Sequence, residues 1–528
     1  MSSDKPTDVA EVVRQGYAFT GPALELGALL ADGEPVVDAQ VRVPLGMLNR
    51  HGLVAGATGT GKTKTLQLMA EQLSANGVPV FMADIKGDLS GIGQPGVPND
   101  KLTARTASIG QSWQPTGCPV EYLSLGGTGS GVPVRATITS FGPTLLAKVL
   151  DLNETQTSSL SLVFHFADAA GLALLDLKDL RSVIQYLISE EGQDDLEGLG
   201  GLSKATAGVI LRELIAFADQ GAEVFFGEPE FDTRDLIRTA PDGRGVVTCL
   251  ELPSVQDKPA LFSTFLLWML ADLFHDLPEA GDLDKPKLVF FFDEAHLLFR
   301  DASKAFTEQI TQTVRLIRSK GVGVFFVTQS PKDVHGDVLA QLGNRVQHAL
   351  RAYTPEDAKA LKAAVSTFPK SSYDLEELLT NLGIGEAVIT VLSERGAPTP
   401  VAWTRLRAPQ SLMAPAPAEA LAAQVAASPL QPKYGTELDR ESAYEKLRAK
   451  LAPPPSVAPP AATPAPKPAP APAPRQQREA PRRAEKEEPG LVKEVVTSSA
   501  FKSFLRSAGT VLGREITRSI FGTARRRR

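Results

Sequence analysis

The spacing of apolar residues changes twice along the chain. In residues 46–139 and 241–407 they form near-continuous runs, several of which end in polar or acidic residues: HGLVAGAT, VPVFMADIKGD, VVTCLEL, KLVFFFDE, VGVFFVTQ and VQHALRAY. Such runs are typical of strands that are covered on both faces of a sheet. In residues 140–240 the apolar residues recur at helical spacing. This second pattern predicts an α-helical subdomain inserted between strands of the sheet.

The order of elements predicts the fold class. Strand, Gly-rich turn, helix and strand follow one another within residues 51–90, which is the order of a parallel βαβ unit. We therefore expect an α/β fold with a mainly parallel sheet, built from residues 46–139 and 241–407. Residues 1–45 predict a helix and a short β segment, and a closing hairpin is expected around residues 394–400.

The last part of the chain has a different character. We expect residues 408–452 to be a linker with one short helix over residues 436–450. Residues 453–489 are rich in proline and alanine, so this tether cannot bury a core and is expected to be disordered. Residues 490–528 place apolar residues at three- and four-residue spacing, which predicts an amphipathic helix. Nine basic and two acidic side chains give that helix a net charge of about +7 (9 − 2).

Composition narrows the classes of protein and compartment. The net charge of −6 gives no general attraction to nucleic acid, so any DNA contact would need a local basic patch. Cys118 and Cys249 form no CxxC pair, which argues against a zinc site or a disulfide scaffold. The longest apolar stretch, residues 260–274, is shorter than the roughly 20 residues of a membrane span. We expect a buried helix there and a cytoplasmic protein.

Residues 56–63 match the phosphate-binding pattern GxxxxGK[ST] between a predicted strand and a predicted helix. Glycines let backbone N–H groups turn toward phosphate oxygens, and the start of the helix adds positive potential. Lys62 would reach the β- and γ-phosphates of ATP, and the Thr63 hydroxyl would bind Mg²⁺. An ordinary Gly-rich loop is the alternative, and the flanking elements argue against it. The predicted ATP-binding residues of this loop are Gly56, Ala57, Thr58, Gly59, Thr60, Gly61, Lys62 and Thr63.

The apolar run KLVFFFDE ends in Asp293 and Glu294. At such a strand end Asp293 would hold Mg²⁺ through water, and Glu294 would polarise the attacking water during ATP hydrolysis. The alternative, that both acids only meet solvent, is less attractive behind a phosphate loop. Residues 293–296 also spell DEAH, a string typical of one class of RNA helicases. No arginine-rich segment of that class follows, and we expect His296 to pack or hydrogen-bond locally.

Three further residues lie near strand ends. Gln329 ends the run VGVFFVTQ, where it could contact the γ-phosphate or the attacking water, or could merely cap the strand. Arg318 stands among cations that a helix dipole favours, and an arginine finger that stabilises the transferred phosphoryl group is the alternative. Asp84 ends the second strand of the βαβ unit. Because ligands gather at the carboxyl ends of parallel strands, we expect Asp84 to help bind ATP.

Four segments, in this order, resemble the HerA/FtsK division of P-loop motors, and most closely the bacterial HerA-like ATPases: NRHGLVAGATGTGKTKTLQ, FMADIKGDLSG, FFFDEAHLLF and RLIRSKGVGVFFVTQSPKDV. The resemblance covers roughly residues 20–407 and implies a RecA-like P-loop core. By this resemblance Arg318 matches the arginine that reaches into the neighbouring subunit's site, and Asp84 matches the acid of the second strand. The same resemblance supports the roles given above for Lys62, Thr63, Asp293, Glu294 and Gln329.

The resemblance implies a ring, typically a hexamer, that threads double-stranded DNA or, in some relatives, handles protein. Two features depart from the pattern: fewer than fifty residues precede the first core strand, where HerA proteins usually carry a β-barrel, and neither the membrane spans nor the winged helix of FtsK is evident.

These observations support an oligomeric ATP-driven motor that acts on DNA. The alternative is a nucleotide-gated scaffold that moves no polymer and engages a protein partner, an anionic membrane or nucleic acid through residues 490–528. A protein translocase is disfavoured, because no membrane segment is predicted.

Overall fold

The computed structural model describes residues 8–196, 199–281, 283–299 and 302–451. Within these residues twelve strands join into one sheet. The strands are β1 (Ala23–Ala31), β2 (Glu34–Pro44), β3 (Gly52–Ala55), β4 (Val80–Asp84), β5 (Val120–Leu125), β6 (Val132–Val134), β7 (Val247–Glu251), β8 (Leu288–Phe292), β9 (Val322–Thr328), β10 (Asn344–Gln347), β11 (Glu386–Thr390) and β12 (Ala402–Leu406).

The strands follow the spatial order β2-β1-β12-β11-β10-β3-β9-β8-β4-β7-β5-β6. All neighbours from β10 to β6 pair in parallel. The pairs β10–β11, β11–β12, β12–β1 and β1–β2 are antiparallel. The predicted α/β class with a mainly parallel sheet is confirmed. The β segment expected near the N-terminus consists of two long strands that extend this same sheet.

The described residues also form seventeen α-helices around the sheet. They are α1 (Val9–Gly16), α2 (Lys62–Ala75), α3 (Asp100–Ser108), α4 (Ile138–Val149), α5 (Glu154–Ala169), α6 (Leu177–Leu187), α7 (Gln193–Leu196), α8 (Lys204–Asp219), α9 (Pro259–Asp276), α10 (His296–Phe299), α11 (Lys304–Ile317), α12 (Gly336–Leu339), α13 (Pro355–Val365), α14 (Leu375–Asn381), α15 (Ala418–Ala426), α16 (Gln431–Tyr434) and α17 (Ala443–Leu451).

Strand β8 shows why the parallel strands are apolar throughout. Because successive side chains of a strand point to opposite faces, Phe290 and Phe292 pack in the apolar cluster on one face. Val289 and Phe291 pack in the cluster on the other. The strand is buried along its whole length. The two acidic residues that follow it, Asp293 and Glu294, therefore lie at the carboxyl end of a buried strand.

Helices α4 to α8 lie in the chain between β6 and β7, in the region expected to hold a helical subdomain. Their apolar residues do not form a separate core, because Leu160, Ile184 and Ile210 belong to the same cluster as Phe290 of the sheet. Helix α9, which contains the longest apolar stretch, is also buried in this cluster, with Trp268 fully covered. Within the described part of the chain, no helix has the length and apolar character needed to cross a membrane.

The prediction that the chain after residue 407 is a linker is wrong for residues 408–451. Helices α15, α16 and α17 follow one another there, and the last begins at Ala443, later than expected. Leu430, Tyr434 and Leu447 are at most 5% exposed and belong to the main apolar cluster. The segment looked unfolded because each short helix contributes only a few apolar residues to a core supplied by the rest of the chain. The predictions for residues 453–489 and 490–528 lie outside the described residues.

Candidate active site

The loop of residues 56–61 joins β3 to α2 at the carboxyl edge of the parallel strands. Gly59 and Gly61 have φ angles of 80° and 110°, which side-chain-bearing residues rarely adopt. A Cβ on Gly56 would lie 2.4 Å from Cβ of His348, just beyond β10. The first N–H groups of α2 lack partners within the helix, as in any helix. No side chain caps them, so they are suited to bind an anion. The predicted phosphate loop therefore has the required backbone.

Lys62, the first residue of α2, points back over the loop. Its side chain is buried, and Nζ donates a hydrogen bond to Ala57 O at 3.1 Å. Burial lowers the pKa of this ammonium, while the carboxylates of Glu294 and Asp293 act to raise it. An ammonium has three donors, so Lys62 can keep the loop contact and still donate to phosphate oxygens.

Asp293 is the first residue after β8 and is 4% exposed. Its Oδ1 accepts a hydrogen bond from Glu294 N at 2.9 Å, whereas its buried Oδ2 has no hydrogen-bond partner among the described residues. Burial, with the charge of Glu294, raises the pKa of Asp293 to about 7. A buried carboxylate oxygen without a protein partner is suited to bind a cation or to accept from a further donor.

These residues fit a magnesium ion. The oxygens of Asp293 and Thr63 are the hard ligands that Mg²⁺ prefers, and Mg²⁺ commonly keeps several waters and binds phosphates. In the described ranges no group of three or more His, Cys, Asp or Glu side chains could hold a metal unaided. The remaining ligands would therefore have to come from water and nucleotide.

Glu294 is buried and already engaged by side chains of its own chain. Its Oε1 accepts from Lys86 Nζ, its Oε2 accepts from Gln329 Nε2 at 3.4 Å, and His296 Nδ1 lies 3.2 Å from Oε2. Burial alone would raise the pKa of Glu294, but His296 and Lys86 outweigh it and lower the pKa to about 2. Its φ of 47° is also unusual for a residue with a side chain. The contacts of Glu294 thus favour its charged form, and its backbone is strained.

Asp84 lies at the same edge, but its carboxylate is occupied by its own loop. Oδ1 accepts from Gly87 N at 2.7 Å and Oδ2 accepts from Leu89 N at 2.9 Å. Burial, with the charge of Asp88, raises the pKa of Asp84 to about 6. In this structure Asp84 shapes the loop that carries Lys86 to Glu294, and direct contact between Asp84 and ATP stays a prediction.

Gln329 directly follows β9, and its amide Nε2 contacts Glu294 at the end of the neighbouring strand β8. The strand end around it is fixed by Asp333, whose Oδ2 accepts from Thr328 Oγ1 at 3.0 Å and from Ser330 N at 2.9 Å. Gln329 itself is exposed. Asp333 thus caps the strand end, and the amide of Gln329 is left to contact Glu294.

Arg318 lies at the amino ends of the parallel strands (the amino edge), opposite the carboxyl edge that holds the phosphate loop. It is exposed, and it precedes β9, whereas Gln329 follows that strand. Seven residues of β9 at about 3.3 Å each separate the two ends by roughly 20 Å. Arg318 also contributes to the lowered pKa of His51, which precedes β3. Arg318 is therefore not brought to the phosphate loop of its own chain.

Sequence reasoning missed two residues that support the site. Lys86 pairs with Glu294, and His348 lies beneath the loop with Nε2 2.9 Å from Thr65 Oγ1 on α2. The position of Lys86 two residues after the acid that ends β4 was a usable signal, because that strand end is next to β8. Nothing in the local sequence of His348 shows that it would meet α2.

A family model provides the decisive comparison. The model for the helicase HerA-like C-terminal domain matches residues 30–528. The chain belongs to the HerA-like helicase C-terminal family. This membership confirms the resemblance to the HerA/FtsK division and the prediction that the chain is a P-loop ATPase.

Curated relatives include the DNA double-strand break repair helicase HerA of Sulfolobus acidocaldarius, 21% identical over 391 residues that cover 73% of this chain and 70% of that one. The helicase of the same name from Sulfurisphaera tokodaii is 22% identical over 377 residues, 70% of this chain and 67% of the relative. Among solved structures, the plasmid coupling protein TrwB in complex with the ATP analogue ADPNP aligns with a TM-score of 0.48 at 17% identity. That alignment covers 75% of this chain and 97% of TrwB.

Proposed function

We propose that this HerA-like ATPase is an oligomeric, hexameric motor that hydrolyses Mg-ATP and acts on double-stranded DNA as a helicase or translocase. The observation that carries the proposal is the split site: Lys62 and Glu294 lie near enough at the carboxyl edge of the sheet for the charge of Glu294 to act on Lys62, and Arg318 lies at the amino edge. A HerA relative is named as a DNA repair helicase, which supports DNA as the polymer. A cytoplasmic location is part of the proposal, because Cys118 and Cys249 are unpaired.

Binding begins at the phosphate loop. The N–H groups of residues 56–63 and the ammonium of Lys62 receive the phosphates, and the oxygens of Thr63 and Asp293 would hold Mg²⁺. When bound, Mg²⁺ would neutralise negative charge on the β- and γ-phosphates. The unpartnered Oδ2 of Asp293 supports this assignment.

Glu294 accepts the proton of the attacking water in the proposed reaction. A carboxylate is a weak acceptor while cationic donors hold its oxygens, so at least one of the contacts that lower the pKa of Glu294, from His296 or from Lys86, has to open before water is polarised. Gln329 then orients the water and carries the state of the γ-phosphate to the residues after β9. Hydrolysis is thereby coupled to movement of side chains at the site.

Completion of the site requires a second copy of the chain. Arg318 is about one strand length from the loop of its own subunit, and we assign it to the site of a neighbour, where it stabilises charge on the transferred phosphoryl group. A closed ring gives every site one such arginine. The number six rests on the family resemblance.

ATP hydrolysis with and without DNA tests the proposal. We expect double-stranded DNA to stimulate hydrolysis several-fold, and electron microscopy with a non-hydrolysable ATP analogue to show rings whose channel contains duplex. Rings with an empty channel, and hydrolysis unchanged by DNA, RNA or salt, would instead favour a nucleotide-gated scaffold. That scaffold would engage a protein or an anionic membrane through residues 490–528, and deletion of residues 453–528 would then change its location or partners.

A further inference from the structure

Two buried acids end neighbouring strands at the carboxyl edge, and one of them, Glu251, has no role in the proposed reaction. Glu251 ends β7 and Asp84 ends β4, and the two residues are directly opposite one another in this parallel pair. Residues in register on neighbouring strands direct their side chains to the same face of a sheet. Glu251 is 5% exposed and Asp84 is fully buried. The two carboxyl groups are therefore neighbours in the protein interior.

The hydrogen bonds around the pair satisfy Asp84 and leave an oxygen of Glu251 without a partner. Gly87 N and Leu89 N donate to the two oxygens of Asp84, whereas the buried Oε1 of Glu251 has no hydrogen-bond partner among the described residues. Two carboxylates only accept hydrogen bonds, so neither can satisfy the other while both are charged. Within the described ranges these acids do not form a group that could hold a metal ion. A proton, which would convert one carboxylate into a donor, therefore suits this pair.

Titratable groups from four elements surround the pair. They are Lys64 on α2, Asp88 in the loop after β4, Tyr122 on β5 and Cys249 on β7. Lys64 is the one cation of this set, and its charge interacts with Asp88 and Asp84. Burial raises the pKa of Tyr122 and of Cys249, so both are uncharged at neutral pH. Within the described chain Asp84 thus has a positive neighbour, and no cation acts on Glu251.

These surroundings place the proton on Glu251. Burial, with the charge of Asp84, raises the pKa of Glu251 to about 8. Burial also raises the pKa of Asp84, but only to about 6, because the N–H groups of Leu89 and Gly87 stabilise its charged form. When the environments of two interacting acids separate their pKa values, a single shared proton lies mainly on the weaker acid. At pH 7 that acid is Glu251.

Asp84 anchors the loop that carries Lys86 to Glu294. Lys86 is adjacent to Gly87, whose N–H group binds the Asp84 carboxylate, and Lys86 Nζ pairs with Glu294. Leu252 N donates to Asp84 O at 2.9 Å, so the ends of β4 and β7 are also joined through their backbones. A change of charge beside Asp84 therefore acts on a loop that contacts the proposed proton acceptor.

We propose that Glu251 is protonated at neutral pH and donates a hydrogen bond to Asp84, which makes Glu251 a positioning residue for the loop that carries Lys86. When this proton leaves to solvent, a second negative charge stands beside Asp84, and like charges repel. The loop then loosens and Lys86 releases Glu294. This inference deepens the proposed function and rests on it, because the effect on hydrolysis assumes that Glu294 is the proton acceptor.

Infrared spectroscopy of the full chain tests the proton directly. At neutral pH the unmodified chain should show a carbonyl band of a protonated carboxyl group that Glu251→Gln lacks, and this band should titrate with an apparent pKa of about 8. Glu121→Gln is the matched control, because Glu121 on the neighbouring strand β5 is similarly buried but pairs with Arg238 at 2.8 Å. The control should keep the band. Identical spectra of the unmodified chain and Glu251→Gln in this region would show that Glu251 is charged and would overturn the inference.

ATP hydrolysis without DNA tests the positioning role. Between about pH 7 and about pH 9 the rate of the unmodified chain should rise roughly two- to fivefold more than that of Glu251→Gln. The amide of Gln keeps a donor for Asp84 and has no proton to lose in this range. Lys86→Met should rise no more than Glu251→Gln, because its contact with Glu294 is already absent, whereas Glu121→Gln should follow the unmodified chain.

The two measurements separate this inference from the proposed function. Absence of ATP hydrolysis in the unmodified chain would contradict the proposed function, and the infrared band would still decide whether Glu251 carries a proton. Equal rises in rate with pH for the unmodified chain and Glu251→Gln would overturn the positioning role while leaving the ATPase intact. A purely structural role for Glu251 would change stability and leave the pH profile of hydrolysis unaltered.

Discussion

The two edges of the parallel strands hold their charged groups in opposite ways. At the carboxyl edge Lys62, Asp293 and Glu294 are each at most 8% exposed, and they act on one another's pKa values. At the amino edge Arg318 is exposed, beside a buried histidine, His51, whose pKa burial lowers to about 4.

In the proposed mechanism the carboxyl edge binds the nucleotide, and the amino edge completes the site of a neighbouring subunit. Burial at the carboxyl edge fixes groups that must be in place before the nucleotide arrives, since preorganised charges need not reorganise during reaction. An exposed arginine at the amino edge is placed where a second molecule can use it. The comparison predicts that damage at one edge should be complemented by an intact copy of the other.

The largest effect is expected from the amino edge. Arg318→Ala should lower kcat for ATP hydrolysis by about 10³-fold and leave ATP affinity within about twofold, because the proposed ATP site lies at the other edge. Arg315→Ala, one turn earlier on α11 and also exposed, is the control and should retain activity. Steady-state hydrolysis and equilibrium ATP binding measure the two quantities.

Mixed oligomers show whether Arg318 acts between subunits. In an equal mixture of Arg318→Ala and Glu294→Gln chains, roughly a quarter of the interfaces should join an intact arginine to an intact glutamate, and activity should reappear. A mixture as inactive as its parents would contradict action in trans.

The next largest effect is expected from loss of Glu294, the proposed proton acceptor at the carboxyl edge. Glu294→Gln keeps the shape of the side chain and removes its charge, so we expect a loss of about 10²-fold or more in kcat with ATP still bound. Asp195→Asn on α7, a carboxylate remote from the loop in sequence, is a control. Single-turnover hydrolysis distinguishes this loss from slow product release, and a variant with normal single-turnover rates would exclude Glu294 as the acceptor.

The residues at the carboxyl edge could be located from the sequence for a physical reason. A phosphate loop and an acidic strand end are local patterns, because the chemistry needs particular residues within a few positions of one another. The α/β class followed from apolar runs that the core requires. Contacts such as Lys86 with Glu294 depend on which strands are neighbours, and no local pattern records that order.

Residues 408–451 show the opposite case. Helix α16 has four residues, too few for a period to be recognised, and its Tyr434 is buried only because Phe231 and other residues of distant segments surround it. Such a segment has no core of its own, so its sequence resembles a linker. Long-range packing decided its structure.

A matched pair of histidines sharpens the comparison of the two edges. His51 at the amino edge and His348 at the carboxyl edge are both buried, and burial lowers their pKa values to about 4 and about 3. Each folded pKa lies below the unfolded value of about 6.5. The unfolded state therefore binds more protons below pH 6.5, and the stability from each neutral histidine is present above that pH and lost as the pH falls.

The free energy of unfolding should fall between pH 7 and pH 5 as the two histidines become protonated in the unfolded state. We expect His51→Asn and His348→Gln each to make this fall about 2 kcal/mol smaller. Denaturant unfolding at both pH values measures this difference. Only His348→Gln should also weaken ADP binding, by a few-fold, because Nε2 of His348 meets Thr65 on α2. Equal effects of both variants on ADP would show that the histidine beneath the loop has no special role there.

The smallest effect concerns the contact that holds the proton acceptor. Lys86 is about half exposed and pairs with Glu294, so Lys86→Met should free one carboxylate oxygen and raise the basicity of Glu294. We expect hydrolysis without DNA to rise about two- to fivefold, with a smaller further stimulation by DNA. Lys304→Met is the matched control, because Lys304 pairs with Glu308 on the surface of α11 and should leave both rates unchanged. If Lys86→Met instead lowered the basal rate, Lys86 would be needed for catalysis itself. The contact between Lys86 and Glu294 would then not have to open before hydrolysis.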